Sequence, residues 1–526
     1  MPLPECFRRL LGQCVAVGTV LLLVSGCAGL PTDIERKESR ALTDTETTRL
    51  GQASVSLRQA HPDESGFRLL RSGVDALLAR LVLAEAAQRS LDVQYYIWHD
   101  DLTGRHFANA LLRAADRGVR VRVLLDDVGV KPKDEVLLSL TAHPNIEIRL
   151  FNPVASRSFR SLSAIGDLPR VNRRMHNKAV IADNQVAILG GRNIGDEYFG
   201  AHGEVAFGDL DVLTIGAGVK DVSAAFDRFW NSQVVFPVAA LTGNEADSAG
   251  LVALRAKLKV FVEEQRDSRY VTAAKADLAV RLAAGSEGMF WGKAHVLFDD
   301  PDKIARPPAA TEGRLLPQLG RFRSSIRESL LIVSPYFVPG EAGVTWLRAL
   351  VARGVRVTVL TNSLAATDVG IVHAGYQRYR DALLEGGIRL YELKPEAIEH
   401  GRATERKGSL SGSRASLHAK TFVFDRKSVF IGSLNLDPRS IELNTEIGVV
   451  CESAPLAEEL GGTLERNLDS IAWRLERSVE ASGDARIVWV EKTAEGERRH
   501  AEEPGVSEWR RFSLWFLGLL PIESQL

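Results

Sequence analysis

One stretch decides the fold of this chain: Arg173-Arg174-Met175-His176-Asn177-Lys178-Ala179-Val180-Ile181-Ala182-Asp183. Val180 and Ile181 are β-branched, and Asp183-Asn184 is typical of a turn, so the stretch predicts a strand that ends in a turn. Residues two apart on a strand point to the same face, and we therefore expect His176 and Lys178 to project side by side. An imidazole beside a fixed positive charge suits attack on a phosphate ester.

The same spacing, His-x-Lys-x4-Asp, returns in Leu417-His418-Ala419-Lys420-Thr421-Phe422-Val423-Phe424-Asp425. Both copies also continue alike, with Gly190-Gly191-Arg192-Asn193 after the first and Gly432-Ser433-Leu434-Asn435 after the second. The offset is 242 residues in both cases, the separation of His176 from His418. A long motif repeated at one offset indicates an internal duplication.

The duplication extends beyond the motifs. Strand-like runs match at 91–98 and 330–337, helix ends closed by glycine match at 117–121 and 353–357, and residues 149–151 match 389–391. Strands that alternate with helices predict an α/β fold, here two similar halves, each with a mixed β-sheet flanked by helices. Such halves pack about a pseudo-twofold axis and bring both motifs to one shared active site.

The paired motifs resemble those of the phospholipase D superfamily. The resemblance implies the same two-halved arrangement. It also implies that His176 is the nucleophile and His418 the acid and base, which the symmetry of the sequence alone does not decide. We expect Lys178 and Lys420, with Asn193 and Asn435, to bind the non-bridging oxygens of the phosphate.

Four carboxylates complete the predicted site. Asp183 and Asp425 end the two motifs at the strand-end turns, and we interpret them as structural members of the catalytic motif. Asp209 and Glu446 follow their histidines by 33 and 28 residues. A catalytic imidazole needs a carboxylate on its second nitrogen, and superfamily members use acidic residues at such positions. Which carboxylate pairs with which histidine stays open at this point.

Four further runs resemble bacterial cardiolipin synthases, most closely the subclass whose phosphatidyl donor is phosphatidylethanolamine; the runs are 94–98, 190–196, 334–339 and 435–440. The resemblance implies a phosphatidyltransferase that makes cardiolipin from phosphatidylglycerol and a second phospholipid through a covalent phosphatidyl-histidine. The alternatives are a membrane-anchored hydrolytic phospholipase D or a nuclease of the superfamily. No cofactor and no metal are expected, because the sequence has no His-Glu-x-x-His and no clustered cysteines.

Composition sets limits on the partners. The chain has 526 residues, of which 45% are hydrophobic and 25% charged, and its net charge is −1. These values are typical of a globular protein with two or three domains. A neutral balance does not favour nucleic acid as a partner, so we expect phospholipids and a membrane surface instead.

The first residues predict membrane attachment. Arg8 and Arg9 precede an apolar run, 14–26, that is too short to span a bilayer but suits a signal peptide. Val24-Ser25-Gly26-Cys27 resembles a lipobox, so we expect Cys27 to be lipidated and the protein to be an extracytoplasmic bacterial lipoprotein; an ordinary signal peptide is the alternative. The cardiolipin synthases that the chain resembles usually carry no lipobox. With Cys27 acylated, only Cys451 remains as a thiol in the mature chain, which excludes an intrachain disulfide.

Composition shifts divide the chain into six segments. These are a signal peptide (1–27), a polar tether (28–65), the first half (66–240), a helical connecting segment (241–290), the second half (291–475) and a C-terminal extension (476–526).

Three further segments have two possible roles. The basic loops 152–174 and 395–416 each lead into a motif and either are solvated or bind an anionic headgroup. The last segment carries Trp509, Phe512, Trp515, Phe516, Leu519 and Leu520 beside Arg510 and Arg511. It either lies in the headgroup layer of a membrane or packs on the second half.

Overall fold

The computed structural model describes residues 29–518 except 159, 202–204, 245–246, 269, 273–287, 308–309, 397–413 and 480–484. Within these residues eighteen strands form one mixed sheet and two more form a short parallel pair. The predicted fold class is therefore confirmed: an α/β protein with two similar halves.

The first half holds nine strands: β1 (Ser65–Leu70), β2 (Ser90–Tyr95), β3 (Arg120–Asp126), β4 (Ile146–Phe151), β5 (Ala179–Ala182), β6 (Val186–Gly190), β7 (Val205–Gly208), β8 (Asp211–Gly216) and β9 (Val235–Pro237). Their order in the sheet is β9-β4-β3-β2-β5-β6-β8-β1, with β2, β3 and β4 parallel and the other neighbours antiparallel.

The second half repeats that order as β18-β13-β12-β11-β15-β16-β17-β10, and again only the three strands that precede the motif are parallel. Its strands are β10 (Phe290–Phe298), β11 (Ser329–Val333), β12 (Arg356–Asn362), β13 (Arg389–Leu393), β14 (Arg414–Leu417), β15 (Thr421–Phe424), β16 (Ser428–Gly432), β17 (Ile447–Glu452) and β18 (Ala472–Val479). A hairpin of β19 (Ala485–Thr493) and β20 (Gly496–His500) extends the sheet beyond β18.

Helices cover both faces of the sheet. In the first half and the connecting segment they are α1 (Arg49–Ala60), α2 (Gly73–Ala86), α3 (Leu102–Asp116), α4 (Asp134–Thr141), α5 (Arg160–Gly166), α6 (Leu168–Val171), α7 (Asp196–Phe199), α8 (Gly218–Trp230), α9 (Val238–Thr242) and α10 (Ser248–Glu264). In the second half they are α11 (Leu315–Gln318), α12 (Gly320–Ser325), α13 (Gly340–Ala352), α14 (Gly370–Gln377), α15 (Arg380–Glu385), α16 (Ala454–Ile471) and α17 (Glu508–Gly518), with a 3-10 helix at Pro301–Ala305 and a π-helix at Arg439–Leu443.

Glycines end the matching helices α3 and α13 as the sequence predicts. Gly118 and Gly354 follow the two helices with φ of 90° and 86°, a left-handed conformation that glycine adopts without steric cost. In each half the chain then enters a buried parallel strand, which is β3 in the first half and β12 in the second. The two copies are therefore equivalent in structure as well as in sequence.

The halves meet through equivalent elements, as a pseudo-twofold axis requires. Strands β1 and β10 hold the same place in their halves and pair antiparallel with each other, Gly66 opposite Trp291. Strand β14, which leads into the second motif, pairs with β7 of the first half, and Met175 in turn forms a bridge with Thr445 of the second half. Both motifs are thus brought to the interface.

The motif strand begins later than the sequence predicts. Strands β5 and β15 start at Ala179 and Thr421, one residue after the motif lysines, so the histidines and lysines precede the regular strand. The reason is that the residues before each histidine pair with the other half and not with their own sheet. The predicted turn after β5 is confirmed by positive φ at Asp183 and Asn184, 52° and 51°.

The prediction of a loose polar tether over 28–65 is wrong for the described residues. Helix α1 lies there, and Thr48 caps it by accepting from the backbone of its first turn. The segment before α1 lies against the first half, where buried Arg122 and Arg149 donate to the carbonyls of Ser39 and Lys37. Because these contacts are polar, the sequence of the segment shows no apolar periodicity that would indicate them.

The arginines of the basic loop 152–174 bind groups of the protein itself and do not form a free cationic surface. Arg157 pairs with Asp127 and Asp134, and Arg174 is buried and pairs with Asp126. The other arginines of the loop, Arg160, Arg170 and Arg173, also bind protein carboxylates or carbonyls. Of the matching loop 395–416, residues 397–413 lie outside the described residues.

Some predicted features lie outside the described part of the chain: the signal peptide with Cys27, the side chains of Trp515 and Phe516, and the residues Leu519 and Leu520. In the described part, no helix is both long and apolar enough to cross a membrane. Cys451 is a free and buried thiol in β17.

Candidate active site

The two histidines enter the site on backbone that the opposite half holds. The amide of His176 donates to the carbonyl of Thr445 at 2.8 Å, and the amide of His418 donates to that of Gly208 at 2.8 Å. Both residues are buried, with 8% and 5% of their surface exposed. The interface between the halves therefore fixes both imidazoles.

Each histidine is oriented by a carboxylate from the other half. Nδ1 of His176 lies 2.9 Å from Oε2 of Glu446, and Nδ1 of His418 lies 2.6 Å from Oδ2 of Asp209. This crossed pairing settles the arrangement that the sequence leaves open. A carboxylate on Nδ1 holds the proton there, so Nε2 of each imidazole remains for chemistry.

The residue after the motif glycine contacts the carboxylate of its own half. In the first half a Cβ at Gly191 would lie 2.1 Å from Oδ1 of Asp209, so only glycine fits. In the second half Ser433 replaces it, and its hydroxyl donates to Glu446. The two ends of the site therefore differ chemically although the fold is duplicated.

The motif lysines form the cationic part of the site. Nζ of Lys178 donates to the carbonyl of His176 at 2.5 Å, and Nζ of Lys420 donates to that of His418 at 2.5 Å. Lys178 also lies over the ring of Tyr96 at 5.4 Å. Each ammonium keeps further N–H donors for an anionic oxygen.

The site holds both histidines toward the neutral form. Burial is the largest cause that lowers the pKa of His176 well below its usual value, followed by the charges of Lys178, Lys420 and His418. Burial and Lys420 also lower the pKa of His418, but Asp209 opposes the shift. The charge of Lys420 lowers the pKa of both imidazoles, so the two histidines lie in one electrostatic site.

The pKa values of the two carboxylates shift in opposite directions. Burial raises the pKa of Glu446 to about 7, although Lys178 and the hydroxyl of Ser433 oppose the shift. Burial acts in the same direction on Asp209, but His418 and the cations around it outweigh burial and lower its pKa. Asp209 therefore stays an anion and stabilises a proton on His418. Glu446 stabilises a proton on His176 less strongly.

The two asparagines differ in what they present to the site. Nδ2 of Asn193 is buried with no hydrogen-bond partner among the described residues, while its Oδ1 accepts from the amide of Ile97. Nδ2 of Asn435 donates to Ser440 at 3.3 Å, and its Oδ1 has no partner in the described part. The amide nitrogen of Asn193 thus lies beside the hydroxyl of Tyr198 and can donate to a phosphate oxygen.

The motif aspartates lie at the far ends of β5 and β15. Asp183 accepts from the amides of 88–90, and Asp425 accepts from those of 327–329. Each carboxylate thus fixes the start of the neighbouring parallel strand, β2 or β11. The positions agree with a structural role for both residues.

We expect Asp183→Ala to destabilise the fold and to leave turnover per folded molecule unchanged. Three amides would lose their acceptor, which costs about 1–3 kcal/mol for each one that water does not reach. Asp183 is fully buried, whereas the amides at Asp425 are exposed in part, so Asp425→Ala should cost less. Urea unfolding of both variants measures the difference. A loss of turnover in folded Asp183→Ala would contradict the structural role.

Aromatic rings around the histidines were missed by sequence reasoning as site residues. Tyr96 meets the His176 ring edge-on at 5.2 Å, and Tyr198 and Phe207 lie 5.1 Å from the His418 ring. These rings exclude water from the imidazoles. Closeness in sequence to a predicted site residue could have indicated one of these rings, because Tyr198 follows Asn193 by five residues.

One group of described residues has the geometry of a cation site: His99, Asp101 and Glu197. Both carboxylate oxygens of Asp101, however, already accept hydrogen bonds. Oδ1 accepts from the backbone amide of Gly104 in the first turn of α3, and Oδ2 accepts from the backbone amide of Asp196. Nδ1 of His99 lies 3.4 Å from Glu197. These contacts explain the group as the anchor of the loop before α7.

A family model described as "Cardiolipin synthase, PLD-like domain" matches residues 81–230 and 322–468, more than half of the chain. The chain belongs to this family. Each matched range lies within one of the two halves and contains its motif.

Curated relatives agree with this family. The chain is 44% identical over 478 residues to cardiolipin synthase C of Escherichia coli, covering 90% of this chain and 99% of the relative. It is 27% identical over 405 residues to cardiolipin synthase A of Pseudomonas entomophila, covering 76% and 68%.

A solved structure shows the same fold. The phosphatidylserine synthase of Haemophilus influenzae Rd KW20 aligns with a TM-score of 0.54 at 12% identity, covering 91% of this chain and all of the other. With the family and the curated relatives, the duplicated fold makes this protein an enzyme, a phosphatidyltransferase of the phospholipase D type.

Proposed function

We propose that this protein makes cardiolipin by transferring a phosphatidyl group from a second phospholipid to phosphatidylglycerol. The crossed pairing of His176 with Glu446 and of His418 with Asp209 in one buried site carries the proposal. It provides two oriented imidazoles beside two lysines, which suit an anionic phosphodiester. The relative named cardiolipin synthase C, 44% identical over nearly its whole length, points to this product.

In the proposed reaction Nε2 of His176 attacks phosphorus. The bond to the donor's headgroup oxygen breaks, and His418 gives its proton to the departing alcohol. His418, now neutral, removes the proton from the glycerol hydroxyl of phosphatidylglycerol, whose oxygen attacks phosphorus and releases His176. Lys178, Lys420 and Asn193 stabilise the charge on the non-bridging oxygens in both steps.

Electrostatics support this division of roles. A nucleophilic imidazole must be neutral, and His176 has the more strongly lowered pKa of the pair. The acid must hold a proton, and the anionic Asp209 stabilises one on His418. Both assignments agree with those implied by the superfamily.

We expect purified protein to form cardiolipin in vesicles of phosphatidylglycerol, with glycerol released when phosphatidylglycerol is also the donor. Added phosphatidylethanolamine should release ethanolamine as well, if it serves as donor. Thin-layer chromatography of labelled lipids separates the products. Phosphatidic acid without cardiolipin in either mixture would make the enzyme a hydrolase and reject the synthase proposal.

The proposal includes attachment to a membrane through lipidated Cys27, supported by the lipobox-like Val24-Ser25-Gly26-Cys27. A second contact is helix α17, where the stacked Trp509 and Phe512 are 74% and 53% exposed. Aromatic rings at a protein surface favour the headgroup layer of a bilayer.

Cys27→Ser should abolish incorporation of a labelled fatty acid and lower the membrane-bound fraction. Adding Trp509→Ala and Phe512→Ala should lower the remaining vesicle flotation further, and Val252→Ala, an equally exposed apolar site on α10, should not. Equal acylation of the Cys27→Ser protein would reject the lipoprotein proposal. Unchanged flotation of the aromatic variant would reject the contact through α17.

A further inference from the structure

A cavity of about 470 Å³ lies in the second half next to the second motif. Its walls are mostly apolar and come from β11, β15, the short helices α11 and α12, the start of α13 and the π-helix. The charged lining residues are Arg323, Glu341 and Glu442. Pockets of this size and composition bind apolar ligands with few polar contacts.

The duplication shows why this space is open. Gly343 matches Phe107, because both pairs, Phe107 with Gly343 and Gly118 with Gly354, are 236 residues apart. Ile441 matches Phe199 at the offset of 242 residues that relates the two motifs. In the first half both phenylalanines are fully buried. Two large rings thus lie in the first half where the second half has glycine and isoleucine.

Neighbouring residues complete the packing of the first half. Trp98 stacks on Phe107 at 5.3 Å, and the guanidinium of Arg80 lies over Phe199 at 5.3 Å. Leu319 matches Arg80 at the offset that relates Ser329 to Ser90, and it lines the cavity of the second half. One half of the repeat is therefore filled where the other is hollow.

The hollow half adjoins the catalytic machinery. Leu436 lines the cavity and follows Asn435 directly. Its carbonyl accepts from the amide of Val338 at 2.7 Å, and its amide donates to the hydroxyl of Ser334, so this wall is fixed to the end of β11. The cavity wall therefore begins one residue along the chain from a motif asparagine, close to the place proposed for the phosphate.

We propose that this cavity takes an acyl chain of the phospholipid whose phosphate lies in the active site. The inference rests on the proposed function, since a phospholipid substrate supplies the chain. Burial of each methylene in apolar surroundings is favourable, so a long chain gains more there than a short one. In the first half, the cavity against α3, the helix that matches α13, has a volume of only about 60 Å³, so the two ends of the symmetric site treat a lipid differently.

Trp346 allows a direct test, because it lines the cavity with Arg323 over its ring at 4.4 Å. A dibrominated stearate, used as a probe without turnover, should quench the fluorescence of the full-length protein. Trp346→Phe should remove most of that quenching. Ile441→Phe, which introduces the residue of the first half, should weaken probe binding about tenfold or more, because the added ring occupies the space that the chain would fill.

Two controls separate filling from misfolding. Ala342→Trp adds bulk at an exposed lining position and should also weaken probe binding, whereas Val252→Phe on α10 should not. Thermal unfolding confirms that each variant is folded. Quenching that Trp346→Phe leaves unchanged, or equal binding by folded Ile441→Phe and by the unmodified protein, would overturn the proposal.

Turnover gives a second and separate readout. The unmodified enzyme should have a lower KM for a dioleoyl than for a dihexanoyl donor, and Ile441→Phe should reduce that difference by raising the KM for the dioleoyl donor. Absence of phosphatidyl transfer from either donor would refute the proposed function, while the probe would still decide whether the cavity binds a chain. An unchanged preference in the folded variant would refute the cavity's role.

Discussion

A phosphatidyl group will accumulate on His176 when His418→Ala is mixed with a phosphatidyl donor whose leaving group is p-nitrophenol. Such a leaving group departs without a proton from His418, so the first step survives the substitution. The second step still needs a base for the acceptor alcohol, and the adduct is trapped. Mass spectrometry of the quenched protein locates it, and the release of nitrophenol stops after one equivalent.

Turnover of ordinary phospholipids should fall by at least about 10⁴-fold in both His176→Ala and His418→Ala, the size of effect seen when one member of a catalytic unit is removed. His176→Ala should release no nitrophenol burst, because the nucleophile is absent. His500→Ala on β20 is the matched control and should behave like the unmodified enzyme. An adduct on His418 in His176→Ala would reverse the assignment of roles.

The motif residues that line the candidate site could be predicted from the sequence because they are local. His176 and Lys178 lie two residues apart, and the second copy repeats that spacing at one offset. The equivalence of the two halves was predicted from the same duplication. Glycines such as Gly118 further marked helix ends, since the left-handed conformation favours that residue.

The pairing of carboxylates could not be predicted, because it depends on how the halves meet. Glu446 reaches His176 only through the bridge between Met175 and Thr445, which are far apart in the chain. Spacing places each carboxylate after its own histidine, and no local rule indicates that the partners exchange. The interface decides the pairing, and the sequence does not encode it in any short motif.

The docked N-terminal segment was missed for a related reason. Its contacts are hydrogen bonds from buried arginines, such as Arg122 to the carbonyl of Ser39, and a backbone carbonyl is present at every residue. Apolar periodicity identifies segments that bury side chains. It is silent about segments held by their backbone.

The crossed pairing makes Asp209→Asn and Glu446→Gln slow different steps. Asp209 belongs to the first half but orients His418, so its variant should resemble His418→Ala: the nitrophenyl donor reacts, and the adduct on His176 persists. Glu446 orients His176, so Glu446→Gln should form the adduct slowly with every donor. With an ordinary phospholipid, turnover should fall by up to about 10⁴-fold in each, because the imidazole loses the partner that fixes its tautomer.

Rapid-quench measurements of adduct formation and decay separate the two variants. Glu452→Gln is the control and should change neither rate. Glu452 is exposed and lies on β17, the strand that begins directly after Glu446. If each histidine instead depended on the carboxylate of its own half, Asp209→Asn would slow formation and Glu446→Gln would slow decay. That exchanged result would contradict the pairing across the interface. The expected result would show that neither half of this duplicated enzyme holds a complete catalytic unit, since each histidine depends on a carboxylate that the other half supplies.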